Sequence, residues 1–154
     1  MIKKLMKLVD LIGSTEGEDK IILADADGFV GTYLDIGCSN PIKDSNTFRL
    51  YMAGWRGVCV DIRKIRRYKW YRPRDRFMQA TITRLDGWMW DYDLLNIDID
   101  GIDLEVLKTL DYHPKWIIAE TCMPSQREIT DYLCSIGYKV IGQTTRNHIF
   151  KLEG

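Results

Sequence analysis

The sequence predicts an α/β protein built on a doubly wound, mostly parallel sheet that ends in an antiparallel hairpin. Three observations carry this expectation. Short, mostly apolar runs recur at residues 33–36, 58–60, 94–99 and 116–119, and 58–60 has the uninterrupted apolar character of a parallel strand buried on both faces. Helical periodicity fills the gaps between them, as right-handed crossovers require. The chain then closes with two strand-like segments, 138–141 and 148–152, across the polar turn 142–147.

With 154 residues, 45% of them hydrophobic and 29% charged, the chain fits one globular domain that buries its own core. We divide it into an N-terminal helix and connection, 1–30, and a core, 31–154. A formal net charge of zero excludes general polyanion binding as a whole-chain role and leaves only local patches. The four cysteines, Cys38, Cys59, Cys122 and Cys134, lack CxxC spacing and sit in or beside apolar segments, as reduced thiols of a cytoplasmic protein do. His113 and His148 lie at no ligand spacing from a cysteine, so zinc is not expected. No apolar run approaches the ~20 residues of a membrane span, and the start shows no signal-peptide core. The expected location is the cytoplasm.

In chain order, Leu5, Leu8, Val9 and Ile12 share one helical face, with Gly13 as its stop. Residues 14–20 read as a polar turn, 21–23 as a short apolar run, and 24–31 as an acidic loop in which Asp25 and Asp27 are solvated. Ser45 is the expected N-cap of a helix with Phe48, Tyr51, Met52 and Trp55 at i, i+3, i+4 and i+7. Between 63 and 76, Arg63, Lys64, Arg66, Arg67, Lys69, Arg72, Arg74 and Arg76 interleave with Tyr68, Trp70 and Tyr71, against the single acid Asp75. We read this as an amphipathic crossover helix with a solvated basic face, broken by Pro73. The competing reading is a basic, aromatic surface for a phosphate-bearing acceptor or single-stranded nucleic acid. Residues 77–82 make a third strand, and 85–92 have no assigned element. Asp103 is placed to cap a helix that turns Leu104, Leu107 and Leu110 inward. The strand 116–119 ends at Glu120. Ser125 and Glu128 then form a capping box for a helix with Ile129, Tyr132, Leu133 and Ile136 inward and Gly137 at its C-cap.

The candidate site lies where the strands end. Asp35 and Gly37 follow the first strand and Asp61 closes the second, where an acid can accept hydrogen bonds from ribose hydroxyls. The G-x-G-x-x-G of a dinucleotide site is absent, because Gly37 is followed by Cys38, Ser39, Asn40 and Pro41. An acid ahead of the glycine suits a positively charged ligand group, which favours S-adenosylmethionine over a pyrophosphate. Asp35 can equally cap backbone N–H groups, and Asp61 can equally pair with Arg63 or Lys64. Asp98, Asp100 and Glu120 end two strands expected to be neighbours. Together they can accept a proton from a hydroxyl nucleophile or hold Mg²⁺, and their crowding would raise a pKa. They can also serve as helix caps and an arginine partner. Mg²⁺ is possible on these residues, but the reading without metal is favoured. His113 and His148 read as packing.

DIGCSNPIKDSNTFRLYMAGWRGVCVDI, the later YRPRD, then DLLNIDIDGIDLEVLKTLDYHPKWIIAE, and the GY…N-x-IF ending closely resemble FkbM-type methyltransferases. The D-[IV]-[DE]-G-x-[DE]-x-x-V-L block at 98–107 is the most specific part. The resemblance implies the class I S-adenosylmethionine-dependent methyltransferase fold, a Rossmann-like doubly wound sheet. It implies Asp35, Gly37, Cys38, Ser39 and Asn40 around the methionine end of the cofactor. Asp61 would bind the ribose, with Ile62 where the family often has proline. Gln79 and Ala80 would flank adenine, and Asp98 would sit beside the transferred methyl. The acceptor it implies is a hydroxyl of a sugar, glycan or natural product. The segment between Asp75 and Leu94 is short for the family, so an acceptor-covering helix is expected to be absent; an oligomer or partner protein would then complete the site. Two other readings stand beside this one: a nucleic-acid methyltransferase or binding module using 63–76, and a cofactor-binding scaffold without turnover. Against ribose 2′-O methylation, no lysine follows the strand ending at Glu120.

Overall fold

The computed structural model describes residues 12–87, 91–122 and 127–154. Among the described residues, seven strands form one sheet: β1 Thr32–Ile36, β2 Arg56–Asp61, β3 Arg76–Gln79, β4 Leu94–Ile97, β5 Trp116–Glu120, β6 Tyr138–Gln143 and β7 Asn147–Leu152. Their order is β3-β2-β1-β4-β5-β7-β6. β1 to β5 pair in parallel, with Leu34 opposite both Val58 and Leu95, while β7 runs antiparallel to β5 and β6. The expected doubly wound sheet with a terminal hairpin is therefore the architecture observed.

Alternation along the strands explains why both faces are covered. Leu34, Ile36, Val58, Val60, Leu95, Ile97, Ile117 and Ala119 point to one core layer. The helices α4 Asp103–Leu107 and α5 Arg127–Ser135 close that layer with Leu104, Val106, Ile129 and Leu133. Tyr33, Cys59, Leu94, Trp116 and Ile118 point the other way, under α1 Glu18–Ala26, α2 Phe48–Met52 and α3 Tyr68–Tyr71. A sheet sandwiched in this manner reads in sequence as unbroken apolar runs rather than alternating ones.

Five expectations need correction. Residues 18–26 form a helix, not a turn, an apolar run and a loop, because two of its buried positions, Glu18 and Asp19, are acids that hide the apolar stripe of Ile22 and Ala26. Asp25 is consequently no solvated loop acid: it accepts the Trp116 indole N–H at 2.8 Å and pairs with Lys151 at 2.9 Å. α2 starts at Phe48, after Ser45, whose hydroxyl instead accepts Arg72 Nη1 at 3.3 Å; Leu50 rather than the exposed Met52 completes the inward face. The basic crossover is one short turn, α3, and Arg72 beyond it is fully buried. Asp103 is the first residue of α4 rather than its cap, and its carboxylate reaches back to the N–H groups of Ile99 and Gly101, each at 3.1 Å. The helix expected over Leu5, Leu8 and Val9, and the Ser125 half of the capping box, lie outside the described residues.

Candidate functional site

In an open α/β sheet, ligands gather at the carboxyl ends of the strands, where the strand order reverses. Here the reversal falls between β1 and β4, and a cavity of about 610 Å³ opens at that point. Ile36, Gly37 and Ser39 line it from β1, Asp61 to Arg63 from β2, Ala80 to Ile82 from β3, and Asp98 to Asp100 from β4.

Gly37 is fixed by close approach. Its φ is +79°, and a Cβ there would lie 1.8 Å from the Asp98 carbonyl oxygen. The N–H groups of Gly37 and Cys38 bond to the Val60 carbonyl at 2.9 and 3.2 Å, and Asp98 N–H bonds to the Ile36 carbonyl at 3.0 Å. The first loop is thus zipped between β2 and β4, and no side chain fits at its glycine.

Asp61 sits at the cavity floor, 4% exposed. Its carboxylate accepts Ser39 N–H at 3.0 Å, Arg63 N–H at 2.8 Å, and the Arg63 guanidinium at 3.0 and 3.2 Å. Burial pushes its carboxyl up, but the Arg63 and Ser39 hydrogen bonds outweigh this and hold it below the usual carboxylate range. The Arg63 side chain is 65% exposed, so a ligand hydroxyl pair can replace its guanidinium without leaving Asp61 unpaired. Ile62 and Ile102 present large exposed apolar surfaces to the same cavity, with Ala80 and Ile82 opposite, a lining suited to a flat aromatic base.

The other predicted site residues fall in different places. Asp35 lies beneath the floor, 1% exposed, accepting Thr47 Oγ1 at 2.5 Å and Asn96 Nδ2 at 2.8 Å; burial raises its carboxyl pKa against the nearby Arg72. Cys38 is buried. Asn40 Oδ1 accepts the N–H groups of Ile42 and Lys43, bracing the loop. Gln79 donates to the Ile62 carbonyl at 3.2 Å and lines a neighbouring cavity beside Lys64 and Arg66. His148 Nδ1 meets Thr130 Oγ1 at 3.0 Å and packs edge-on against Phe150, a structural role.

Asp98, Asp100 and Glu120 do converge: one carboxylate oxygen from each lies within 4.8 Å of the others. Asp98 stands in partly desolvated surroundings among the carboxylates of Glu120, Asp103, Asp100 and Asp35, and its carboxyl is pushed up to about 6. The side chain still reaches solvent, so an apolar group that covers it would raise the carboxyl further, while a ligand cation beside it would lower it. Three carboxylates at this spacing could bridge a divalent cation, and equally they form a proton acceptor tuned by like charge.

Sequence reasoning missed a second cavity, of about 330 Å³, on the far side of Asp98. Glu16, Glu18, Asp44, Asp98 and Glu120 are in its wall, together with Asn46, Asn147 and Arg146. Asp98 therefore forms a wall common to both cavities. The buried-acid face of α1 was the available signal, since Glu18, Ile22 and Ala26 recur at i, i+4 and i+8. A further cavity, of about 540 Å³ beside Asp93 and His113, faces the amino ends of β4 and β5, away from these loops.

No protein-family model matches the chain, and comparison with curated proteins finds no match. Solved structures do match. A ribosomal protein L11 methylase from Lactobacillus delbrueckii subsp. bulgaricus superposes with a TM-score of 0.67 at 13% identity, over 89% of this chain and 78% of that one. A TehB-like SAM-dependent methyltransferase from Corynebacterium glutamicum gives 0.60 at 15% identity, over 99% and 96%. The Burkholderia thailandensis 1,6-didemethyltoxoflavin-N1-methyltransferase, solved with S-adenosylhomocysteine, gives 0.60 at 14%, over 89% and 77%. What the three share with this chain is its architecture: it has the class I methyltransferase fold.

Proposed function

We propose that this chain is an S-adenosylmethionine-dependent methyltransferase of FkbM type that methylates a hydroxyl of a small molecule or sugar. One observation carries the reading: Asp98 is the shared wall of a cavity that suits adenosine and of a second, acidic cavity beside it. The fold shared with known methyltransferases and the chemistry of the first cavity support the choice of donor.

Bound here, S-adenosylmethionine would supply an electrophilic methyl carbon on a positively charged sulfur, which would keep the C–S electron pair when the methyl passes to the acceptor oxygen. Asp61 accepts the ribose hydroxyls, displacing the Arg63 guanidinium. Ile62, Ala80 and Ile82 flank the base. Gly37 and the 38–40 loop hold the backbone close to Asp98 and set the edge of the methionine end. Asp98 takes the proton that the acceptor hydroxyl gives up as the new C–O bond forms, a task for which a carboxyl pKa of about 6 is well placed near neutral pH. Asp100 and Glu120 keep that pKa high by like charge. Asp35, Thr47 and Asn96 position the floor from below.

A nucleic-acid acceptor fits less well. The basic residues of 63–76 other than Arg72 are exposed, but the cavity adjoining Asp98 is walled by acids that repel phosphates. The test is mass spectrometry of small hydroxylated metabolites and glycans incubated with isotopically labelled donor. Transfer by the wild type and its loss in Asp98→Asn is the expected result. Transfer to RNA instead, or undiminished transfer by Asp98→Asn, would overturn the proposal.

A further inference from the structure

We infer that the second cavity is the acceptor subsite and that it takes a small molecule bearing an ammonium group, such as an amino sugar or amino alcohol. The inference rests on the proposed function only in calling this ligand the acceptor. Glu18, in the cavity wall, is 2% exposed. Its Oε1 is fully occupied, accepting Asn147 Nδ2 at 2.7 Å and Thr144 Oγ1 at 2.9 Å. Its Oε2 is buried with no hydrogen-bond donor among the described residues. A buried carboxylate oxygen left without a donor is costly, and a ligand N–H⁺ supplies what is missing.

The surrounding charge has the matching sign. Glu16, Asp44, Asp98 and Glu120 share the wall, against Arg146 as the single cation among its described residues. Such a field concentrates cations and repels phosphates and carboxylates. The volume of about 330 Å³ suits a small ligand rather than a polymer. An ammonium held at Glu18 leaves a hydroxyl of the same molecule free to lie toward Asp98, on the donor side of the cavity.

The test is calorimetric titration of the full chain, with and without saturating S-adenosylhomocysteine, by glucosamine and by ethanolamine, each beside its N-acetylated form. The ammonium form of at least one pair is expected to bind about tenfold more tightly or better, the low end for a charge-assisted hydrogen bond. That preference should vanish in Glu18→Gln while the affinity for S-adenosylhomocysteine stays unchanged. Equal affinity for charged and acetylated forms, no binding of either, or a preference that survives Glu18→Gln with its circular dichroism intact overturns the inference. A fall in S-adenosylhomocysteine affinity in Glu18→Gln also overturns it, since the cavity would then hold the donor's own ammonium. Should Glu18→Gln fail to fold, Glu16→Gln and Asp44→Asn, at exposed positions, carry the test; an undiminished preference in both overturns it. Ammonium preference without any S-adenosylhomocysteine binding would instead sink the donor reading and leave the cation site standing.

Discussion

Replacing Arg72 with methionine is expected to cost about 3–5 kcal/mol of stability, the loss typical of breaking a buried ion pair from one side. The side chains of Arg72 and Asp75 are both 0% exposed, with Nε to Oδ2 at 2.7 Å. The guanidinium also donates to the Tyr33 hydroxyl at 2.6 Å, Thr47 Oγ1 at 3.0 Å and Ser45 Oγ at 3.3 Å. Methionine fills much of the same volume, so the cavity penalty is small and the loss is electrostatic. Asp75 would keep the Tyr33 hydroxyl at 2.6 Å, the Gly57 N–H at 3.0 Å and the weak Cys59 thiol donor at 3.9 Å for a charge it cannot share with water. Forming such a pair is near break-even, because desolvation offsets attraction, but orphaning one member is not. For a chain of this size, each kcal/mol shifts the melting midpoint by roughly 2–4 °C, giving a fall of about 6–20 °C. Urea denaturation followed by tryptophan fluorescence reads the change directly. Arg72→Met with Asp75→Asn should recover about 1–3 kcal/mol of the loss, since neither charge is then stranded. A single-variant loss below about 1 kcal/mol would show that Arg72 is a surface cation, as the basic stretch suggests, and would refute the buried network.

Other perturbations give distinct signatures. Gly37→Ala combines a positive φ with a Cβ 1.8 Å from the Asp98 carbonyl, so it should destabilise by about 2 kcal/mol or more; a melting curve unchanged from wild type would contradict the close approach. Asp98 has a folded-state pKa raised from 3.8 to about 6, so the native state holds its proton where the unfolded state does not, and this contribution to stability declines as pH rises from 4 to 6. Asp98→Asn should therefore gain stability over wild type above pH 6 and not below pH 4. After discounting for the exposure of Asp98, the gain is about 1 kcal/mol, and equal stabilities at pH 7.5 would contradict the shift. With Asp98 as base, turnover should rise with pH to a plateau above about 6; a rate that falls through that range would assign the proton elsewhere. An oligonucleotide column at about 150 mM salt should not retain the protein, and steeply salt-dependent retention would revive the nucleic-acid reading.

The strand positions were legible because burial on both faces leaves a local signature that needs no knowledge of neighbours. Val58 to Val60 and Leu94 to Ile97 are apolar or hydrogen-bonded inside wherever the sheet places them. Gly37, Asp61 and Asp98 were legible as residues at strand ends, and the cavity they line forms at those ends. Arg72 was not, since its burial depends on meeting Asp75, Tyr33 and Thr47, partners scattered along the chain. Glu18 and Asp19 failed for the same reason: Asp19 is satisfied by Ser14 and Arg49, and one of the two Glu18 oxygens by residues of β7 and its turn, so charge masked a buried helical face. Asp35 was expected beside the ligand, yet it lies buried beneath the cavity floor, because sequence shows that an acid ends the strand region and not which way it faces. The second cavity joins α1, the 44–46 loop and the β5 and β7 ends, a juxtaposition that only the tertiary fold creates.

The central claim is that the 610 Å³ cavity holds S-adenosylmethionine through Asp61. Isothermal titration of the wild type and Asp61→Ala with S-adenosylhomocysteine tests it most directly. One site per chain is expected in the wild type and an affinity lowered about 10- to 100-fold in the variant, the loss of charge-assisted hydrogen bonds worth about 1.5–3 kcal/mol. Absence of binding by the folded wild type, or equal affinity in Asp61→Ala, would contradict it.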